Sequence, residues 1–253
     1  IAWTMIEQDT LFITSFQIGS VKKALQVRVV GNIKYDQIGP IRIDGKGEGQ
    51  FIHLTFQEFF GAKYLTRLFR DGRIEEARKF LNSGKKFHPR YQLMLSMAAG
   101  LLAQDQGLLN AFFDILYEPP RDLGGSRELV LFARCFEECG EYAERVSQYN
   151  KFATAVREVL EDREVSDEIK VNLLNRNPYL IRHTEILNLF VSKLRQHEEV
   201  FVRYLERVSQ NKTRLPLEMI EELGIILANP RADSDAKISA VYALEAVAEG
   251  GTP

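Results

Sequence analysis

A mainly helical protein is expected from this sequence, with a small mixed α+β unit over residues 1–66 and an α-solenoid or similar helical array over 67–253. Three observations carry that expectation. The first stretch is rich in β-branched and aromatic residues interrupted by glycine, as short strands and turns require. From Thr55 onward the apolar residues recur at three- and four-residue spacing instead. Beyond residue 70, periodic blocks alternate with breakers such as Pro119-Pro120, Gly124-Gly125, Gly140, Asn177-Pro178 and Asn229-Pro230, which divide a chain into short helices.

In order along the chain, 11–15, 27–33 and 41–43 read as strand-like, mixed with short helices. Gly19, Gly31, Gly39-Pro40 and the run Gly45-Lys46-Gly47-Glu48-Gly49 separate them. Residues 41–44 and 51–53 are expected to pair as a β-hairpin about that glycine-rich tip, the layout of the wing in a winged helix. A helix follows over 55–70, with Phe56, Phe59, Phe60, Tyr64, Leu65 and Leu68 on one face that is expected to be buried, and Asp71-Gly72 as its stop. Further helices are expected at 74–81, 91–104, 108–117, 126–138, 142–161, 166–174, 180–195, 198–209, 216–227 and 235–248. Ser166-Asp167-Glu168 and Asp233-Ser234-Asp235 supply acceptors and negative charge at two of these N-termini. Small and aliphatic residues crowd one side of 235–244, as in a helix that stacks on a neighbouring repeat, so the array is expected to be HEAT-like although no strict period runs through it.

The composition limits the functional classes. The 253 residues are 45% hydrophobic and 27% charged, with a formal charge of −2, which suits a globular chain and offers no general positive field for nucleic acid. No apolar run approaches the roughly 20 residues of a membrane span, and no basic-then-apolar leader opens the sequence. A cytoplasmic protein without a membrane partner is expected. The chain opens at Ile1 without a methionine, and a piece of something longer is expected. Cys135 and Cys139, four apart in a helical pattern, read as reduced buried thiols rather than as a disulfide or a zinc set.

The most specific string is Phe51-Ile52-His53-Leu54-Thr55-Phe56-Gln57-Glu58-Phe59-Phe60-Gly61-Ala62-Lys63-Tyr64-Leu65. On a strand, His53 would point away from Ile52 and Leu54 and face the opposite surface. An imidazole placed there can donate one N–H to an anion while its other nitrogen is held by the protein. The aromatic residues of the string are expected in the core, and Gln57 and Glu58 at a solvated or interdomain edge.

The string resembles the strand-to-helix element that closes the winged helix of NACHT proteins, the STAND-class signalling NTPases that include the NOD-like receptors. The family pattern is roughly F-x-H-x-[ST]-F-Q-E-[FY]-[FL]-A-A-x-Y, and this chain departs from it mainly at Gly61, where Ala is more usual. The resemblance implies that residues 1–66 form the winged helix of a NACHT module, and that His53 contacts the β-phosphate of ADP held in an adjacent ATPase core, locking a closed, inactive state. It implies ADP or ATP with magnesium in the intact parent, the ATPase core of the same parent chain as one partner, and a protein partner on the helical array. This chain carries no P-loop of its own: Gly45-Lys46-Gly47 is followed by Glu48, and Gly84-Lys85-Lys86 by Phe87. No apolar strand ending in acidic residues is present either. The chain is expected to hold no cofactor and no catalytic residues, and to act as lid and sensor arm of an ATPase- or GTPase-type switch.

Other candidate sites carry less. His88, His183 and His197 stand at no metal-ligand spacing, Glu137-Glu138 beside Cys139 reads as a solvated helix face, and no G-x-S-x-G turn supports a hydrolase. The loop Pro119-Pro120-Arg121-Asp122-Leu123-Gly124-Gly125 is distinctive, and reads as an inter-repeat corner or a binding loop. Two alternatives stand beside the switch. One is a helical-repeat interaction scaffold without a nucleotide role. The other is a winged-helix nucleic-acid binder using Lys22, Lys23, Arg28, Lys34 and Lys46, which is disfavoured because residues 1–66 hold seven basic against six acidic residues.

Overall fold

The computed structural model describes residues 2–7, 10, 41–43, 49–122, 126–176, 180–181, 183–195, 204, 215–230 and 234–250. A short helix α1 (Ala2–Glu7) precedes strands β1 (Ile41–Ile43) and β2 (Gly49–Phe51). Helices follow: α2 (Leu54–Arg70), α3 (Ile74–Leu81), α4 (Pro89–Leu102), α5 (Gln106–Leu116) and α6 (Ser126–Cys139). The last are α7 (Tyr149–Glu161), α8 (Asp167–Arg176), α9 (Thr184–Arg195), α10 (Leu217–Ala228) and α11 (Ser234–Gly250). The described protein is thus mainly helical with one small sheet. The expected strands at 11–15 and 27–33, residues 44–48 of the hairpin tip, the cationic residues Lys22, Lys23, Arg28, Lys34 and Lys46, and nearly all of the expected helix at 198–209 lie outside the described residues, whereas Gly49 of the expected tip is the first residue of β2.

β1 and β2 pair antiparallel, with Ile41 opposite Phe51 and Ile43 opposite Gly49. The second strand ends before Ile52, two residues earlier than the sequence pattern puts it. The physical reason is the start of α2 at Leu54: Ile52 and His53 must turn the chain from the ladder into the helix.

The buried face of α2 also differs from expectation. Gln57, Gly61, Ala62, Leu65, Thr66, Leu68 and Phe69 are buried, whereas Phe56, Phe59 and Phe60 are each about two-fifths exposed. α1 and α4 both pack on α2, and they take its small-residue side. A Cβ at Gly61 would lie 2.2 Å from Cδ1 of Ile6 and 2.9 Å from Sδ of Met94, so these two side chains fill the space that a larger residue would take. Tyr64 is half-buried and stacks on Trp3 at 4.9 Å. The helix ends as expected at Asp71-Gly72: Gly72 takes φ 72°, and the N–H groups of Gly72 and Arg73 return to the carbonyls of Phe69 and Leu68.

Beyond α2, alternate helices stack. α2 packs on α4, α4 on α6 and α6 on α8, while α3 packs on α5 and α7 on α9; α10 pairs with α11. At the α4–α6 crossing a Cβ on Gly100 would lie 3.1 Å from the carbonyl oxygen of Glu138. Rings fill the middle. Phe136 stacks on Phe113 at 4.2 Å and 6°, and its ring centroid lies 5.0 Å from both Tyr149 and Phe152. One helix begins later than the periodicity indicates. Gly140 at φ 55° opens a 3-10 turn over Gly140–Arg145 and Val146 is extended, so α7 starts at Tyr149. α9 likewise starts at Thr184. Among the described residues no helix is long and apolar enough to cross a membrane.

The rotated face of α2 has a direct consequence for stability. Leu65→Ala should cost about 2–5 kcal/mol, as for a fully buried leucine, and Phe56→Ala less than about 1 kcal/mol. Urea denaturation of both variants tests this; equal losses would put the aromatic side back into the core.

Candidate functional site

The site singled out by the sequence lies where β2 hands over to α2. His53 is the N-cap of α2, with extended backbone at φ −144°, ψ 139°; its Nδ1 accepts from the N–H of Thr55 at 3.2 Å. That bond satisfies one of the unpaired N–H groups of the first helical turn. It also fixes the neutral ring's tautomer: with Nδ1 accepting, the proton sits on Nε2 and the ring donates from there. His53 is exposed. The strand alternation expected to orient it does not apply, because Ile52 and Leu54 are not inside; they are 60% and 43% exposed.

Around His53 the surface is apolar. Ile52, Leu54, Phe56, Phe59 and Phe60 are all exposed, the Phe51 and Phe60 rings lie 6.1 Å apart, and the Lys63 ammonium stands 5.5 Å above Phe59. A cluster of this kind is unusual on a surface that faces only water. Gln57 is buried rather than at an edge, and its Nε2 donates to the carbonyl of Thr10 at 3.3 Å. Glu58 is half-buried; burial pushes its carboxyl above the ordinary value, partly offset by the charges of His53 and Arg90. The recess beneath, lined by Leu54, Gln57, Glu58, Arg90 and Tyr91 among others, has about 10 Å³ of room, enough for no more than a water. Among the described residues the site is an exposed apolar face.

The other sequence candidates are placed separately. His88 caps α4, its Nδ1 accepting from the N–H of Arg90 at 3.3 Å. His183 meets the Oδ1 of Asn150 at 3.1 Å, and burial lowers its pKa. His197 lies outside the described residues. Burial raises the Cys135 thiol well above its ordinary value and pushes Cys139 up to about 12, so neither is a thiolate at neutral pH. Among the described residues no group of three or more His, Cys, Asp and Glu could hold a metal ion.

The loop after α5 is held by charge. Arg121 donates to both carboxylate oxygens of the buried Glu128, which also accepts from the N–H of Asp122 at 3.1 Å. Burial works to raise the Glu128 carboxyl, but the Arg121 and Asp122 hydrogen bonds and the charges of Arg121 and Lys86 outweigh it and leave it below the ordinary value. Lys86 is fully buried. Its Nζ donates to the carbonyl of Leu116 at 3.1 Å and to that of Glu118, placing a cation at the C-terminal end of α5 where carbonyls lack helical partners. Burial brings its pKa down to about 8, opposed by Glu128 and Glu118 and aided by Arg121. Nothing in the sequence pattern marks Lys86, because its partners lie some thirty residues on.

No family model, no curated protein and no solved structure matches this chain.

The raised Glu58 carboxyl predicts a pH dependence. Its folded pKa lies above the ordinary 4.5, so its contribution to stability is present below the unfolded pKa and lost as pH rises through the folded one. Glu58→Gln should therefore be more stable than the parent sequence at pH 7, with the gap closing toward pH 4 and below. Urea midpoints across that range measure it, and a gap independent of pH contradicts it.

Proposed function

We propose that this chain is the regulatory, partner-sensing C-terminal part of a NACHT-type STAND signalling NTPase. Residues 1–66 would form the winged helix that closes over ADP in the ATPase core of the same parent chain, and residues 67–253 a HEAT-like array that binds a protein partner. The observation that supports this most is the string 51–65, in which the exposed His53 ring is engaged through Nδ1 and leaves Nε2 to donate at the edge of an apolar face. The alternate stacking of α2, α4, α6 and α8 supports the array. On closure, Phe56, Phe59 and Phe60 would leave water against the core domain, and the Nε2–H of His53 would meet a phosphate oxygen in the dry interface, where such a bond is strongest. Because that contact exists only in the closed arrangement, ADP favours it, and a partner that binds the array better in the open arrangement opposes it.

A second reading, a helical scaffold without a nucleotide role, is favoured by the cap itself: His53 already has a structural task at the start of α2. Two substitutions in the intact parent separate the readings. Asn is a good N-cap but lacks the imidazole donor, whereas Leu lacks both. For the switch, His53→Asn and His53→Leu should each lower ADP retention roughly 10- to 100-fold, the equivalent of a hydrogen bond to a charged group, and raise basal signalling. For the scaffold, His53→Asn should change nothing and His53→Leu should cost only about 1 kcal/mol of stability.

A further inference from the structure

α11 is the last described helix, and it packs on α10. It turns Ala240 and Ala243 inward, both fully buried, with Leu244 packed against the core beside them. Its other side carries Ile238, Val241 and Tyr242, which are 50%, 41% and 54% exposed. Positions three and four apart are neighbours on a helix surface, so these side chains form one stripe over a single turn. Glu245, also exposed, continues the stripe. α10 has the same pattern: Leu217 and Ile225 are exposed, with the exposed Glu221 in line between them. A helix side that meets only water is ordinarily polar, and apolar residues gathered on one turn mark a surface that another molecule covers.

We propose that the outer side of α11 docks a basic amphipathic helix of a partner protein, one whose apolar residues recur at three- and four-residue spacing between Lys and Arg. The inference deepens the reading of the helical array as a partner surface and rests on it, but it does not involve His53 or the exposed aromatic side of α2.

Three features support it. The first is spacing. Ile238, Val241 and Tyr242 make a ridge of helical period, which fits the groove between the side-chain rows of another helix. Tyr242 adds a large ring with a polar tip, the kind of anchor that interfaces favour. The second is charge. Across α10 and α11 six acidic residues stand against one basic residue, Lys237. One of the six, Glu222, is buried and has its partner, whereas Glu221 and Glu245 are exposed and stand in no ion pair among the described residues. A partner helix carrying Lys and Arg beside its apolar stripe therefore meets the opposite sign and is steered to this side. The third is what the same charge disfavours. A second copy would bring the same acidic excess against itself, and an anionic lipid surface would be repelled.

The test titrates a fluorescein-labelled synthetic peptide with the full chain and follows fluorescence anisotropy. The peptide has about 18 residues, long enough for a helix, and is patterned from Leu and Lys so that one side is apolar. A matched peptide of Leu and Glu is the control for charge. The expected result is saturable binding of the Leu/Lys peptide and none of the Leu/Glu peptide. Ile238→Ala and Tyr242→Ala should each weaken binding about tenfold, as for loss of one buried apolar anchor. Glu245→Lys should weaken it about fivefold and lessen its loss with added sodium chloride. Ile169→Ala, at an exposed apolar residue of α8, should bind as the parent sequence does. All four variants should melt close to the parent sequence, since the side chains changed are exposed. Absence of saturable binding, equal binding of the two peptides, or binding untouched by Ile238→Ala and Tyr242→Ala would overturn the proposal. So would a dimer in sedimentation velocity that Ile238→Asp separates, which would put a second copy on this side. Failure here beside reduced ADP retention in the His53 variants of the intact parent would remove this partner surface and leave the nucleotide switch standing.

Discussion

The packing of α1 and α4 on the small-residue side of α2 is the constraint on which the described N-terminal helices depend. α2 is apolar on two sides, one carrying rings and the other small and aliphatic residues, and only the second lets two further helices come close. With Ile6 and Met94 over Gly61, the buried set Ala62, Leu65, Leu68 and Phe69 follows by helical spacing. Phe56, Phe59 and Phe60 must then point away. The exposed aromatic face is thus the other side of a packing decision, and His53 sits at its edge because it caps the same helix.

From α2 the packing is relayed by alternate helices, and polar groups fix the corners between them. Arg134 on α6 donates to Gln92 on α4 at 2.8 Å, Lys86 closes the end of α5, and Arg121 with Glu128 ties the following loop to α6. Lys86 and Glu128 are buried, Arg134 is half-buried and Arg121 is exposed, and the buried charges have their partners, as the cost of removing a charge from water requires. The result is an apolar interior of stacked rings with ionic pins at the corners.

The sequence made the helices legible but not their orientation. Three-and-four spacing located α2 to α7 and the pair α10–α11 because breakers bound each block, and the pairing of β1 with β2 followed from the glycine run between them. The face of α2 differs because ring size does not mark burial here: close helix packing selects the small residues. Local alternation puts His53 on a strand, because it ignores the need of a helix start for an acceptor. α7 began late because the extended Val146, after the 3-10 turn opened by Gly140, interrupts what looks like one amphipathic run. Lys86 and Glu128 were invisible, since their roles depend on partners distant in the chain or on burial, which no spacing encodes. As for the candidate site, the motif marks the start of α2, and the acceptor role of His53 toward the N–H of Thr55 is evident only with the backbone in view.

The proposed switch requires the ring-bearing side of α2 to be an interface surface that another domain of the parent covers when ADP is bound. Hydroxyl-radical footprinting of the intact parent, with and without ADP, reads the solvent access of those rings residue by residue. Phe56, Phe59 and Phe60 should be oxidised readily without nucleotide and be protected with ADP, while Phe112, Phe113 and Phe136 stay unmodified in both. Equal oxidation of the three α2 rings in the two states would contradict the claim.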